Sequence, residues 1–228
     1  MIIYGKQVCL YALEKHEALI KTVYIAKKGI LPQKLYQEYK SRIKFLENKW
    51  AQSMAKGGNH QGILIEIEEF AQSDLATIKQ SDFVLVFDGL TDSGNIGAIV
   101  RTAFALGVDG VIATGVKSLN LASVVRTSSG ALLDMPFIII PNTLDVLNEL
   151  KQVGFRVYGA SMDGTPINRC QFTQKKVLVL GSEGEGISKR AKSKIDEMVS
   201  IEMKREFDSL NVSVAAGILI DRMRYAVK

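Results

Sequence analysis

From residue 83 onward the chain sets short, unbroken apolar runs against amphipathic segments. The runs are "FVLVFD", "VDGVIATG", "MPFIII", "FRVYGAS" and "KVLVLGS"; between and after them come "IGAIVRTAFAL", "LDVLNELKQVG" and a C-terminal helical stretch. A strand with one wet face would alternate polar and apolar residues. These do not alternate, so both faces are buried, which requires a parallel sheet with helices on either side. The fold class is therefore α/β. Parallel strands need crossover connections, and ligands of such sheets bind in the loops beyond the carboxyl ends of the strands. There is no internal repeat and no low-complexity tract.

The segment before residue 83 has a different grammar. "KQVCLYALEK" is an amphipathic helix and "TVYIA" a strand. "PQKLYQEYKSRIKFLENK" reads as one helix opened by Pro32, and "GILIEIEEF" as a strand after a Gly57-Gly58 turn. The polar stretch "AQSDLATIKQSD" reads as a linker, so the expected domains are 1–75, a small α/β unit, and 76–228. Residues 1–56 hold eleven Lys or Arg against four Asp or Glu, a surplus of seven, whereas 57–82 hold one against five. The net charge of +5 is thus concentrated at the N-terminus, where it suits an anionic partner.

Composition removes several classes. Two histidines, His16 and His60, and two distant cysteines, Cys9 and Cys170, offer no metal-type spacing, so no metal is expected. No apolar run approaches the roughly 18 residues of a membrane span, and "MIIYGKQ" has none of the regions of a signal peptide. The expectation is a reduced, cytoplasmic, soluble protein with no membrane partner.

Three loops leave the strands of the second domain. In "DGLTDSGNIGAIVRTA" the glycines form neither a dinucleotide nor a P-loop fingerprint. Asn95 reads as the N-cap of a helix starting at Ile96, with Arg101 on the face of Gly97. A cap plus a solvated arginine explains this much; so does a guanidinium over a pocket mouth. In "VLVLGSEGEGIS" glycines let the backbone approach a ligand, while Glu183 and Glu185 would repel a pyrophosphate. A cationic or hydroxyl-rich ligand fits better, and S-adenosylmethionine meets that description; a plain surface turn also explains the glycines. In "DSLNVSVAAGILI", Ser209 and Asn211 can satisfy the open N–H groups of a helix start, ahead of the small residues Ser213, Ala215, Ala216 and Gly217.

Taken in order, "NIGAIVRTAFALGVDGVI", "VLVLGSEGEGIS" and "SLNVSVAAGILI" resemble the three motifs of the SpoU-type (TrmH-like) RNA ribose 2′-O-methyltransferases of the SPOUT superfamily, over roughly residues 80–225. "YGKQVCLYAL" and "NHQGILIEI" are similar to the ribosomal-protein-like RNA-binding domain of its 23S rRNA guanosine methyltransferases. The resemblance implies a C-terminal trefoil knot, a homodimer and S-adenosylmethionine as methyl donor. It places Gly181, Ile201 and Leu210 on the cofactor, Thr114 and Gly115 along the same cleft, and Asn95, Arg101, Glu183, Ser209 and Asn211 at the reaction centre. Two departures stand out. The first motif commonly carries Pro where this chain has Ser93 and Gly94, and "KREFD", residues 204–208, replaces glycine and small residues ahead of the third motif.

The expected activity is methyl transfer to a guanosine ribose 2′-hydroxyl in 23S rRNA. One alternative moves the target to tRNA; another is a non-catalytic RNA-binding assembly factor. A dinucleotide oxidoreductase lacks its phosphate-binding glycines. Arg101 is read as a phosphate anchor and alkoxide stabiliser. Lys27, Lys28, Arg42, Lys44, His60 and Arg126 are the RNA-binding candidates; a solvated face accounts equally for each lysine, and a turn for His60.

Overall fold

The structure, a computed structural model, describes residues 1–205 and 208–225. The chain divides into two compact units, one of residues 1–71 with 120–134, the other of residues 72–119 with 135–228.

In the first unit β1 (Ile2–Tyr4), β2 (Ile20–Ile25), β3 (Ile43–Phe45) and β4 (Ile63–Ile67) form a sheet in the order β1-β4-β2-β3. β4 is antiparallel to both neighbours, and β3 runs parallel to β2 along the edge. Helix α1 (Lys6–Lys15) buries Val8, Cys9, Ala12 and Leu13, the apolar face expected of it. The single helix expected over 32–49 is not formed. α2 (Gln33–Glu38) stops at Tyr39, whose ring is buried and whose hydroxyl donates to Leu13 O at 2.8 Å. The chain then pairs Ile43 with Val23 and Phe45 with Ile25 before α3 (Asn48–Met54) begins. Ladder bonds and the buried tyrosine outweigh a helical propensity of only tenths of a kcal/mol per residue.

In the second unit the presumed linker contains α4 (Leu75–Ile78), capped by Asp74, whose Oδ1 accepts from Thr77 N–H at 2.6 Å. Ile78 is fully buried beside Val84, Val86 and Ile112, so this stretch is part of the core. The strands β5 (Phe83–Asp88), β6 (Gly110–Thr114), β7 (Phe137–Ile139), β8 (Arg156–Pro166), β9 (Lys176–Gly181) and β10 (Glu197–Ser200) lie in the order β10-β8-β9-β5-β6-β7. Each pairing in this sheet is parallel, as the unbroken apolar runs required. Every residue of β5 is buried, including Asp88. Helices α5 (Ser93–Ala105), α7 (Thr143–Gln152), α8 (Lys189–Lys192) and α9 (Val212–Arg224) complete the unit, while α6 (Leu121–Thr127) falls in the first one.

The strand order fixes where a ligand can sit. β5 leads through α5 to β6 on one side, and its other neighbour β9 leads toward β10 on the opposite edge. Connections diverging from adjacent parallel strands leave a crevice at their carboxyl ends. Register places Asp88 opposite Gly181, so the first two motif loops start side by side. Among the described residues no helix is long and apolar enough to cross a membrane.

Candidate active site

On the β9 side of that crevice, among residues 160–163 of β8 and the loops that follow β9 and β10, lies a cleft of about 690 Å³, within the 300–1,000 Å³ typical of small-molecule sites. Leu180, Val199, Ile201, Leu210 and Leu219 give it an apolar lining. Among the described residues it carries the carboxylates of Asp163, Glu183, Glu185 and Asp208 against the ammonium of Lys192. Such a cleft selects an amphipathic ligand with positive charge.

Local geometry explains the motif loops. After β9 the chain reverses so tightly that Gly186 N–H donates to Ser182 O at 3.0 Å. A Cβ on Gly181 would lie 2.1 Å from Gly186 C, so only glycine can stand there. The loop is then anchored by Asp88, whose Oδ2 accepts from Ser188 N–H at 2.8 Å and whose Oδ1 accepts from the Thr143 hydroxyl at 2.9 Å. On the far side, β8 and β10 pair Met198 with Gly159 and then Val199 with Thr165. The five intervening residues arch out, and Ala160 to Asp163 line the cleft.

The helix expected to start at Ile96 starts three residues earlier, at Ser93. Asp92 is its cap, with Oδ1 accepting from Asn95 N–H at 2.7 Å. Asn95 is therefore not the cap, and its side chain is free for other work. Asn211 does cap α9, as expected: its Oδ1 accepts from Ser213 N–H at 2.9 Å. That orients the amide. Asn211 Nδ2 donates to Asn95 Oδ1 at 3.0 Å and to Glu183 Oε1 at 3.2 Å, and Asn95 Nδ2 donates to Glu183 Oε1 at 2.9 Å. The three motifs thus meet in one directional network that runs from a helix N-terminus through two amides to a carboxylate.

Of the remaining candidates, Gly181, Ile201, Leu210 and Ser209 line the cleft. Arg101 lies exposed on α5, which α9 packs against with Gly217 near Thr102. Thr114 and Gly115 do not line the cleft. Thr114 is fully buried, donating to Phe87 O at 2.8 Å, and a Cβ on Gly115 would lie 2.9 Å from Gly89 N. Part of "KREFD", Glu206 and Phe207, lies outside the described residues.

The RNA-binding candidates belong to the first unit. Lys27, Lys28 and Lys44 are exposed. Arg42 donates to Ile20 O at 3.1 Å, and His60 is buried with Nδ1 accepting from Gly62 N–H at 3.0 Å, so each has a structural task. Arg126 places its guanidinium 5.1 Å from the centroid of the Tyr4 ring. Sequence reasoning passed over Asp88, Asp163 and Lys192. Only Asp88 left a signal, as the one charge on an otherwise apolar strand.

Comparison with known proteins agrees with this geometry. Residues 82–221 match the model of the SpoU rRNA Methylase family, and residues 2–73 match that of the RNA 2′-O ribose methyltransferase substrate binding domain. A protein of Neisseria meningitidis serogroup B named 23S rRNA (guanosine-2′-O-)-methyltransferase RlmB is 33% identical over 190 residues, covering 80% of this chain and 76% of that one. A Borreliella burgdorferi protein named uncharacterized tRNA/rRNA methyltransferase is 35% identical over 84% of this chain and 80% of its own length. The SpoU methyltransferase AviRb of Streptomyces viridochromogenes, solved with the cofactor AdoMet, superposes with a TM-score of 0.79 at 25% identity, covering 99% of this chain and 89% of that one.

Proposed function

The chain belongs to the SpoU rRNA methylase family, and from that premise we infer that it transfers a methyl group from S-adenosylmethionine to the ribose 2′-hydroxyl of a guanosine in 23S rRNA. The network of Asn95, Glu183 and Asn211 carries this reading, because it draws three separated motifs to the mouth of one cleft.

The cleft suits the cofactor chemically. Its apolar lining matches an adenine ring, its surplus of carboxylates matches a sulfonium and an ammonium, and Lys192 matches a carboxylate. Gly181, Ile201 and Leu210 would hold it, chiefly through backbone groups. Bound there, S-adenosylmethionine supplies an electrophilic methyl group on a positively charged sulfur.

The chain itself has two tasks, to orient the ribose and to manage one proton. A guanidinium does not give up its proton in a protein, so Arg101 does not act as a base. It anchors a phosphate and stabilises negative charge growing on the 2′-oxygen, while the proton leaves to water or to an RNA phosphate. The domain at 1–75 holds RNA and the domain at 76–228 performs the transfer. The same reading includes a trefoil knot formed around the segment that leads to α9, a cytoplasmic location and a homodimer. Exposed Phe104 on α5 and Val214 and Ile218 on α9 support the last, since such side chains favour burial against a second copy.

The test supplies purified protein with labelled S-adenosylmethionine and, separately, rRNA and tRNA, then maps where alkaline cleavage is blocked. Label in 23S rRNA at a cleavage-resistant guanosine is expected. Label confined to bases or protein, or no calorimetric uptake of the donor, overturns the assignment; label in tRNA alone moves the target.

A further inference from the structure

The N-terminal unit carries a concavity of its own, of about 410 Å³, at the carboxyl ends of β2 and β3. The parallel register sets Ile25 beside Phe45, and the loop from Lys28 to Leu31 and the start of α2 close the other side. Ile25 and Leu31 are buried and form the floor, while Phe45 remains 58% exposed. Gln33, Tyr36 and Lys28 complete the wall. An edge strand that leaves a large ring open to water beside a groove forgoes burial that its own fold could supply.

Charge identifies the occupant. Between Ile25 and Trp50 the chain has seven Lys or Arg against two Glu, a surplus of five, and Lys27, Lys28 and Lys44 are exposed. A basic peptide is repelled by such a surface and a polyanion attracted. The groove adds a flat aromatic face and, from Gln33, an amide with both donor and acceptor. An unpaired base presents a π face and a hydrogen-bonding edge, whereas in a duplex both are already engaged.

We propose that this groove is a slot for one unpaired RNA base, stacked on Phe45, with Gln33 at its edge and Lys28 on an adjoining phosphate. The proposal rests on the reading that the chain acts on RNA, and it specifies where a single-stranded part of that RNA is held.

The test uses the full-length protein and a 2-aminopurine-containing single-stranded RNA oligonucleotide, with its duplex as comparison. The single strand binds more tightly, with quenched fluorescence. Phe45→Leu weakens that binding by about 5- to 100-fold and abolishes the quenching, and Phe45→Trp keeps both. Lys28→Gln keeps the quenching but lowers the slope of log affinity against log salt by about 0.7. On rRNA, Phe45→Leu raises KM more than it lowers kcat. Wild-type affinity and quenching in Phe45→Leu, equal binding of duplex and single strand, or a change of sedimentation in Phe45→Leu that marks the groove as a contact between copies each overturns the slot. If wild-type protein methylates rRNA while any of these holds, the slot alone fails. If wild-type protein neither takes up S-adenosylmethionine nor methylates RNA, the enzymatic reading fails.

Discussion

Asn211→Asp separates two roles that one side chain now performs. Oδ1 of Asn211 caps α9 and Nδ2 donates to Asn95 and Glu183. Aspartate caps as well as asparagine, and its charge gains about 0.3–1 kcal/mol from the helix N-terminus. It has no donor, however, and sets a second carboxylate against Glu183. Losing a hydrogen bond to a charged group costs about 1.5–3 kcal/mol. Two carboxylates separated by the 3.2 Å that this bond now spans repel by about 1 kcal/mol in water-like surroundings, which apply because both residues are exposed. We expect the mouth of the cleft to loosen by about 2–3 kcal/mol, a loss of about 30- to 150-fold in methyl transfer at limiting S-adenosylmethionine. Asn211→Ala loses the cap as well as the donor, so its Tm falls about 2–4 °C below that of Asn211→Asp, which keeps the cap. Paired carboxylates raise one pKa, and a shared proton restores a donor, so the Asp variant regains activity relative to wild type as pH falls from 8 toward 6. Initial rates over that range, with melting curves of the three proteins, decide the matter. Turnover of Asn211→Asp within twofold of wild type, or a melting loss equal to that of Asn211→Ala, refutes the reasoning.

Arg101→Ala lowers kcat by about a hundredfold, about 3 kcal/mol, with little change in calorimetric S-adenosylmethionine affinity; near-wild-type turnover of Arg101→Lys with a new kinetic pKa below about 10 would instead make this residue the base. Asp88→Asn leaves Ser188 N–H facing an amide that can no longer accept at both oxygens, and its cost of about 1–3 kcal/mol is read as weaker calorimetric uptake of S-adenosylmethionine. Burial pushes the Asp196 carboxyl up, but the Lys151 ammonium and Val157 N–H outweigh it and hold the pKa below the usual range. Its stabilisation is therefore present above the unfolded value of about 3.9 and lost as pH falls through the lower folded one, so melting of Asp196→Asn trails wild type at pH 7 and the gap closes as acid protonates the folded carboxyl. Burial pushes the Cys9 thiol up, and burial together with Glu197 pushes Cys170 to about 11, so a thiol-reactive dye labels the native protein slowly at pH 8 and the denatured protein at once.

The second unit was the more legible because its strands are buried on both faces and therefore written in one alphabet. "FVLVFD" became β5 residue for residue, and "KVLVLG" became β9. The failures fell where tertiary contacts overrule local pattern. The stretch 32–49 carries a helical period, yet Tyr39 finds a burial site on α1 and Ile43 to Phe45 find a partner in β2, two facts that no window of that stretch contains. Ile78 made a polar segment part of the core by one side chain. β10 is short and half-buried, and it pairs with β8 across a five-residue arch, so its period is broken on the partner strand as well as its own.

The site was legible as chemistry and not as geometry. Sequence distinguishes residue types, and Asp92 and Asn95 are both good caps three positions apart, so nothing local decides between them. The choice of Asp92 has a consequence beyond one helix end. If Asn95 capped α5, its Oδ1 would be spent on backbone N–H groups of its own helix and could not accept from Asn211; with Asp92 in that role, both ends of the Asn95 amide are available, one to Asn211 and one to Glu183. The same reasoning fixes Asn211, since the cap it provides to α9 consumes the oxygen and leaves only the NH₂ to face the cleft. Two cap assignments therefore set the hydrogen-bond direction throughout the network and leave Glu183 as its acceptor. An aspartate exchanged for Asn95 would still accept from Asn211 but would abolish the donor to Glu183 and set a second carboxylate against it, while disturbing no cap, which makes Asn95→Asp the sharper probe of the network's polarity: activity falls about tenfold or more with a smaller loss of Tm than in Asn211→Ala, or the direction assigned to the network is wrong.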